Sequence, residues 1–578
     1  MGYMDKPAPG TTPYAGAHGG GLRGDRSPSM EGKFRRMFPE LPPSTHTQED
    51  LAELGIAMTA DPERASDDPQ NPLFLLPSAT AETEIDGEEN TGIAAGYTYF
   101  GQFVDHDMTF DPASLLQKRN DPSALVDFRT PALDLDCLYG RGPADQPYMY
   151  EPDGRRFRLG RPLSQGFEQL PSSRDLPRFA GNAPDDDRPA RALIGDKRND
   201  ENVIVSQLQG VFLRFHNRLA EQHKDLPFEE IQKLVRWHYQ WAVANDYLPT
   251  IVGKATMQKV WPQWTEAGAG GTRPTLKYFD VEAGDGYIPI EFSAAAYRYG
   301  HSMVRPIYRL NTHLHGGKDP REATGKEIDP QHVDGRFFIF AGVQARGLNG
   351  FDAFPKEWAI DWSLFFDING SAGKTGKARL QPAYKIDSSL VNPLGFLPEF
   401  SDPPFVAGGD LIVRTLQPKE TDPTNPSNLA VRNLWRGNSM DLPSGQTIAA
   451  AIGEEPLPPS KLFVGKAQRD DAHQPDDKEL AKIAEGRFVT NSPLWYYVLA
   501  EANAQWRQDS EGMADKDANA VPVRLGPVGG RIVAETILGL LVAGENSYLR
   551  LEPDWTPTLP KAKATFGIAD IIRYALSI

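Results

Sequence analysis

A mainly α-helical fold with long loops and little β structure, organised as one large domain, is what this sequence predicts. Three observations carry it. Apolar residues recur at three- and four-residue spacing over several long windows, strand-like runs are few and short, and 50 prolines and 53 glycines among 578 residues gather in the connections. The clearest helix is expected over 202–223, where Val203, Ile204, Leu208, Val211, Phe212, Phe215 and Leu219 form one apolar stripe. A second is expected over 227–248, with Pro227 at its first turn and Ile231, Leu234, Val235, His238 and Trp241 on one face. Further helices are expected at 291–303, 444–452, 477–486, 492–506 and 530–543, and a short strand at 336–342, "RFFIFAG". The loops at 140–190 and 307–335 are dense in Pro, Gly and Asp, and connections this long usually carry function or surface insertions. The glycine-rich stretch at 266–271 reads as a hinge, since no strand precedes it. Residues 1–45 read as a mobile Gly/Pro-rich tail and 46–578 as the domain, its motif-bearing core running from about 92 to 550.

Composition excludes several classes. A formal net charge of −17 argues against nucleic acid as a partner, because phosphate binding needs a basic surface. No run of about 18 apolar residues appears, so no membrane span is expected; "IVAETILGLLVAG" at 532–544 is too short and fits a buried helix. Cys137 is the one cysteine, which rules out intrachain disulfides. The N-terminus lacks a basic start followed by an apolar block, so a cytoplasmic or unconventionally exported location is expected.

The chemistry concentrates in "GQFVDHDMTF", residues 101–110. There Asp105, His106 and Asp107 crowd together with Gln102 on an apolar background, an expensive arrangement unless a metal, cofactor or partner charge uses it. Three more segments stand out. "GDKRNDE" (195–201) supplies Arg198 and Glu201 at the mouth of the long helix, "RYGHS" (298–302) supplies His301, and "RNLWRGNSMDLP" (432–443) supplies Asn433 and Arg436. The histidines are too far apart for a local zinc motif, and cysteine ligands are missing. One histidine on iron and another acting as acid/base beside an arginine is the set that peroxide chemistry needs.

These segments, with "RTPALDLDCLYG", "FHNRLA" and "DYLPTIVG", resemble in order the motifs of the animal-type haem peroxidase family, within the peroxidase–cyclooxygenase superfamily. The resemblance implies that family's helical fold, haem b and Ca²⁺ as cofactors, and a peroxidase. That enzyme reduces hydrogen peroxide and, through a ferryl intermediate, oxidises halide, thiocyanate or small phenolic donors. It implies His106 as distal acid/base with Gln102 beside it and Arg198 as distal arginine. His301 becomes the proximal iron ligand, its other ring nitrogen hydrogen-bonded to Asn433, with Arg298 and Arg436 near the haem propionates. Asp105 and Glu201 match carboxylates that form haem esters in the family; Asn202 stands where some members place a sulfonium-forming methionine, so two links at most are expected. Asp107 is implied as a calcium ligand, lying in an alternating or tightly turned stretch, together with Thr130, the Ala132 carbonyl, Asp134 and Asp136. Asp136 departs from the serine common in the animal enzymes. Two other readings stay open: a haem fatty-acid dioxygenase of the same superfamily, and a non-catalytic adhesive protein that keeps the fold. The dioxygenases related to cyclooxygenases need a tyrosine three residues before the proximal histidine; here that position is Arg298, flanked by Tyr297 and Tyr299.

Overall fold

A computed structural model describes residues 32–578, apart from 61–87, 111–125, 128, 166–167, 180–189, 269, 282–285, 314–335, 340–346, 396, 398–425, 468–477 and 564. Helix predominates. The principal helices are α1 (Gln48–Ala57), α2 (Gly96–Met108), α3 (Val203–Gln222), α4 (Phe228–Ala242), α5 (Leu248–Val260), α6 (Leu429–Ser439), α7 (Gly445–Ala451), α8 (Leu494–Asp509), α9 (Pro527–Ala543) and α10 (Ile568–Leu576). The described strands are short and pair in twos, apart from one three-stranded sheet. A contiguous cluster of buried apolar side chains extends from Phe34 to Leu576.

Helix α3 forms for the reason its stripe predicts. All seven stripe residues are buried, and the Asn202 side chain caps the start by accepting from the amides of Ile204 and Val205. Helix α2 lies across it, with Phe103 stacked on Phe212 at 4.6 Å between centroids and Tyr239 edge-on to both. Gly101 is where α2 needs a hydrogen in place of a side chain. A Cβ there would run into the Tyr247 hydroxyl, and the Gly101 carbonyl accepts from Tyr297 at 3.2 Å. This contact ties α2 to the segment that carries His301.

Several expectations need correction. The helix expected over 227–248 stops at Ala242, continues through a wider π turn at Val243–Tyr247 and then becomes α5. The expected helix 291–303 is a single α turn, Ile290–Ser293, followed by a tighter 3₁₀ stretch, Ala296–His301. Ala295, at φ −138° and ψ −74°, breaks the register between them. Residues 478–486 form a two-residue strand and 3₁₀ turns instead of a helix; Glu485 sits at φ 55°. The stretch around Asp107 is a regular helix rather than alternating. Strand 336–342 is described only as Arg336–Phe338.

The tail boundary also moves. Gly32–Arg35 is a strand that pairs in parallel with Tyr287–Pro289 and antiparallel with Val126–Asp127. Buried Glu291 then accepts from the amides of Met37 and Phe38 at 2.9 and 3.1 Å. Residues 32–45 are therefore held by main-chain bonds that composition does not announce; residues 1–31 lie outside the described part. No described helix is long and apolar enough to cross a membrane.

Candidate active site

Along α2, the residues from Thr98 to Met108 are buried except Gln102 and Asp105. Spacing of three puts this polar pair on one face. That face borders a cleft of about 200 Å³. Asp105, Thr109 and Phe110 line it from α2 and the residues after it, Arg198 from 195–201, Ser293 and Arg298 from the segment leading to His301, and Arg436 from α6. Phe34, from the supposed tail, completes the wall. The cleft thus lies between the stretch bearing His106 and the stretch bearing His301. Neither imidazole lines it directly.

His106 is 5% exposed, and its Nδ1 is 2.7 Å from Asn199 Oδ1. The Asn199 amide nitrogen donates to Gln209 Oε1 at 2.8 Å, so its oxygen faces the histidine. His106 Nδ1 accordingly carries the proton, and Nε2 keeps the lone pair. Burial, reinforced by the Arg198 cation, lowers the His106 pKa to about 4, so the ring is neutral at ordinary pH. Arg198 donates to Asp196, and its Nη2 also reaches the carbonyls of His106 at 3.1 Å and Thr109 at 2.6 Å. Its guanidinium lies over Phe110 at 4.6 Å. Gln102 donates to Glu201 Oε1 and accepts from Asn202 at 3.2 Å. Asn202, noted from sequence only for not being methionine, is thus a helix cap that also orients Gln102.

On the other wall, His301 is partly accessible at its surface, yet it sits deep enough for burial, with the Arg298 charge, to lower its pKa to about 3. Its Nδ1 is 2.8 Å from Asn433 Nδ2. The pairing is the expected one, but its direction is reversed. Arg298 Nη1 donates to Asn433 Oδ1 at 3.3 Å and occupies the acceptor, which turns the amide nitrogen to the imidazole. Arg298 is also anchored to the Ser293 carbonyl at 2.9 Å.

The calcium reading meets a specific arrangement. Asp107, Asp134 and Asp136 bring oxygens within 4.8 Å of one another. Asp107 is fully buried, and neither of its oxygens makes a hydrogen bond of ordinary geometry, although the Leu135 amide and Tyr239 hydroxyl face it. Burial first, then the neighbouring Asp134 and Asp136, raises its pKa well above the carboxylate range. Leu135, between the other two aspartates, adopts the left-handed conformation at φ 60°, the kind of local strain that gathers at functional loops. The Asp136 carboxylate accepts from the Thr130 amide at 3.2 Å, and Ala132 follows on the same loop. Hard oxygen donors around an unsatisfied buried carboxylate fit a Ca²⁺-like cation.

Sequence reasoning passed over Asn199, Asp196 and Arg129. Arg129 is 1% exposed and bonded to Asp136, although it opens a motif that was read for its aspartates alone. Its isolation from water had no signal in the sequence.

A mainly helical protein with a cationic cleft between two histidine-bearing segments is the class this geometry defines. The sequence profile named "Animal haem peroxidase" matches residues 116–333. A peroxidase-like protein of Margaritifera margaritifera is 27% identical over 304 residues, covering 41% of this chain and 35% of its own length. Human myeloperoxidase is 28% identical over 218 residues, covering 35% of this chain and 26% of its own length. These matches therefore span about a third or less of the relatives' lengths. Peroxidase A from Dictyostelium discoideum shares the fold, with a TM-score of 0.51 at 14% identity over 91% of this chain and 89% of that one. Over residues 116–333 the chain therefore matches the animal haem peroxidase family, for which haem is the expected cofactor.

Proposed function

We propose that this protein is a haem-dependent peroxidase that reduces hydrogen peroxide and oxidises halide, thiocyanate or small phenolic donors. The observation that carries the reading is one cleft lined by Arg198 and Arg298, with the His106–Asn199 pair behind the first and the His301–Asn433 pair behind the second. When bound, the haem supplies an iron that takes peroxide and accepts its oxidising equivalents. His106, neutral and with Nε2 unprotonated, takes the proton from peroxide and returns it to the departing oxygen. Arg198 stabilises the negative charge that develops between those events. His301 would hold the iron, with Asn433 as the side-chain partner that orients its ring. Arg298 and Arg436 suit the carboxylates of a porphyrin. Asp105 and Glu201 would carry the ester links, and Asp107, Asp134 and Asp136 would hold calcium.

The test is direct. Protein loaded with haem is expected to show a Soret band and to turn over guaiacol or bromide with peroxide. Oxygen uptake on a fatty acid without such turnover overturns the peroxidase reading in favour of a dioxygenase, and a loaded protein inert to both is the adhesive alternative. Arg298 at the position of the dioxygenase tyrosine, and the arginines of the cleft, favour peroxidase. Haem that stays with the polypeptide in acidic organic solvent marks the ester links.

A further inference from the structure

Asp136, in the cation site, ends a buried run of alternating charge. Arg129 Nη1 donates to Asp136 Oδ1 at 3.1 Å, and Arg129 Nη2 donates to Asp196 Oδ2. Asp196 then accepts from Arg198 at 2.9 Å. Arg198 closes back onto α2 through the carbonyls of His106 and Thr109, on either side of Asp107 in the chain. The run therefore starts at a carboxylate grouped with that of Asp107 and finishes at the carbonyls that flank Asp107 in the chain. The Arg129 and Asp196 side chains are 1% and 3% exposed, so water screens these pairs little. Burial disfavours charge on both, but the opposite charges win. Arg129 is held more basic by Asp136 and Asp196, and the Asp196 carboxyl is held well below its usual range by Arg129 and Arg198.

From this geometry we infer that Arg129 and Asp196 are positioning residues that couple the loading of the cation site to the hold on Arg198. The inference rests on the cation reading of Asp107, Asp134 and Asp136. A guanidinium between two carboxylates divides its donors between them. A cation on Asp136 draws that carboxylate's charge away, so Arg129 leans toward Asp196. Asp196, better neutralised, grips Arg198 less. Arg198, whose side chain is 18% exposed at the cleft, then has donors to offer there. Such coupling is reciprocal, so a change at Arg198 must alter cation affinity although Arg198 does not touch the cation site.

The experiment is a calorimetric titration of the full chain, stripped with chelator, using Ca²⁺ alone. Replacing Arg198→Gln is expected to tighten Ca²⁺ binding about tenfold, with Arg198→Lys restoring part of the wild-type value. In an Asp196→Asn background the same Arg198→Gln step is expected to change affinity by less than about twofold, because the link is cut. If Asp196→Asn loses its cooperative unfolding transition, Arg129→Lys takes its place, since one ammonium cannot bridge two carboxylates as a fork does. An Arg198→Gln effect equal in both backgrounds, or no effect at all, overturns the coupling while leaving the cation site intact. No saturable Ca²⁺ binding by the unsubstituted protein overturns the cation reading and this inference together.

Discussion

On one wall of the cleft Arg198 is gripped by Asp196 and two backbone carbonyls, and Asp196 by a second buried arginine; on the facing wall Arg298 holds one carbonyl and one side-chain amide. The distal wall is thus built on charge pairs buried beside a charge-hungry loop. The proximal wall includes neutral groups, among them the Tyr247 hydroxyl, which bonds those of Tyr297 at 2.9 Å and Tyr299 at 2.5 Å. Buried ion pairs are costly to break one partner at a time, whereas a neutral hydrogen bond contributes only about 0.5–1.5 kcal/mol. The contrast suits the division of labour in the proposal. The wall that handles the developing charge of peroxide is locked, and the wall that receives the iron keeps one adjustable hydrogen bond.

The largest effect should separate the walls. His301→Ala is expected to lose ligation of the iron by the protein, seen as a displaced or lost Soret band. His106→Ala is expected to keep haem yet slow the reaction with peroxide by about 10²–10⁴-fold in stopped flow. An unchanged Soret band in the first variant, or a fast reaction in the second, breaks the assignment of roles.

Next comes core support for the distal wall. Phe103→Ala, which removes the ring stacked on Phe212, is expected to cost about 3–5 kcal/mol in denaturant unfolding. A loss below about 1 kcal/mol denies that this stack fixes α2.

A third measurement concerns acid. His216 and His238, on α3 and α4, have pKa values lowered to about 4, chiefly by burial. His216 Nε2 donates to the Arg155 carbonyl at 2.7 Å and Nδ1 accepts from Tyr139 at 3.0 Å, an arrangement that requires the neutral ring. The unfolded chain takes up protons on these groups from about pH 6.5 downward, while the folded chain resists until about pH 4. The stability these two groups contribute is therefore expected to fall across that window, by up to about 3 kcal/mol per histidine. Urea midpoints that stay flat between pH 6.5 and 4 would falsify this.

The smallest effect sharpens the comparison most. Asn199→Ala and Asn433→Ala each remove one hydrogen bond to an imidazole, and each is expected to cost about 10–100-fold. The first should act on the peroxide rate and the second on haem affinity. An exchange of the two phenotypes would invert the walls.

The α3 stripe could be read directly, because a 3.6-residue period with an asparagine cap encodes both a face and a start. The break of 291–303 at Ala295 could not, since the one weak helix former in "FSAAAYRYGH", Gly300, lies five residues beyond it. The strand at Gly32–Arg35 was hidden for a similar reason. Its partners lie about 90 and 250 residues away in the chain, and the parallel pairing leaves no local hairpin signal.

By itself the order of residues determined the helical class, through periodicity, and the motifs whose resemblance to a known family singled out the candidate residues. Only the tertiary structure decided that Arg129 belongs with Asp196 rather than with solvent, that Asn433 turns its nitrogen to His301, and that Asp107 is buried with no hydrogen bond of ordinary geometry among the described residues. Those outcomes depend on which charges are removed from water together, and desolvation is a property of the packed chain, not of any stretch of it.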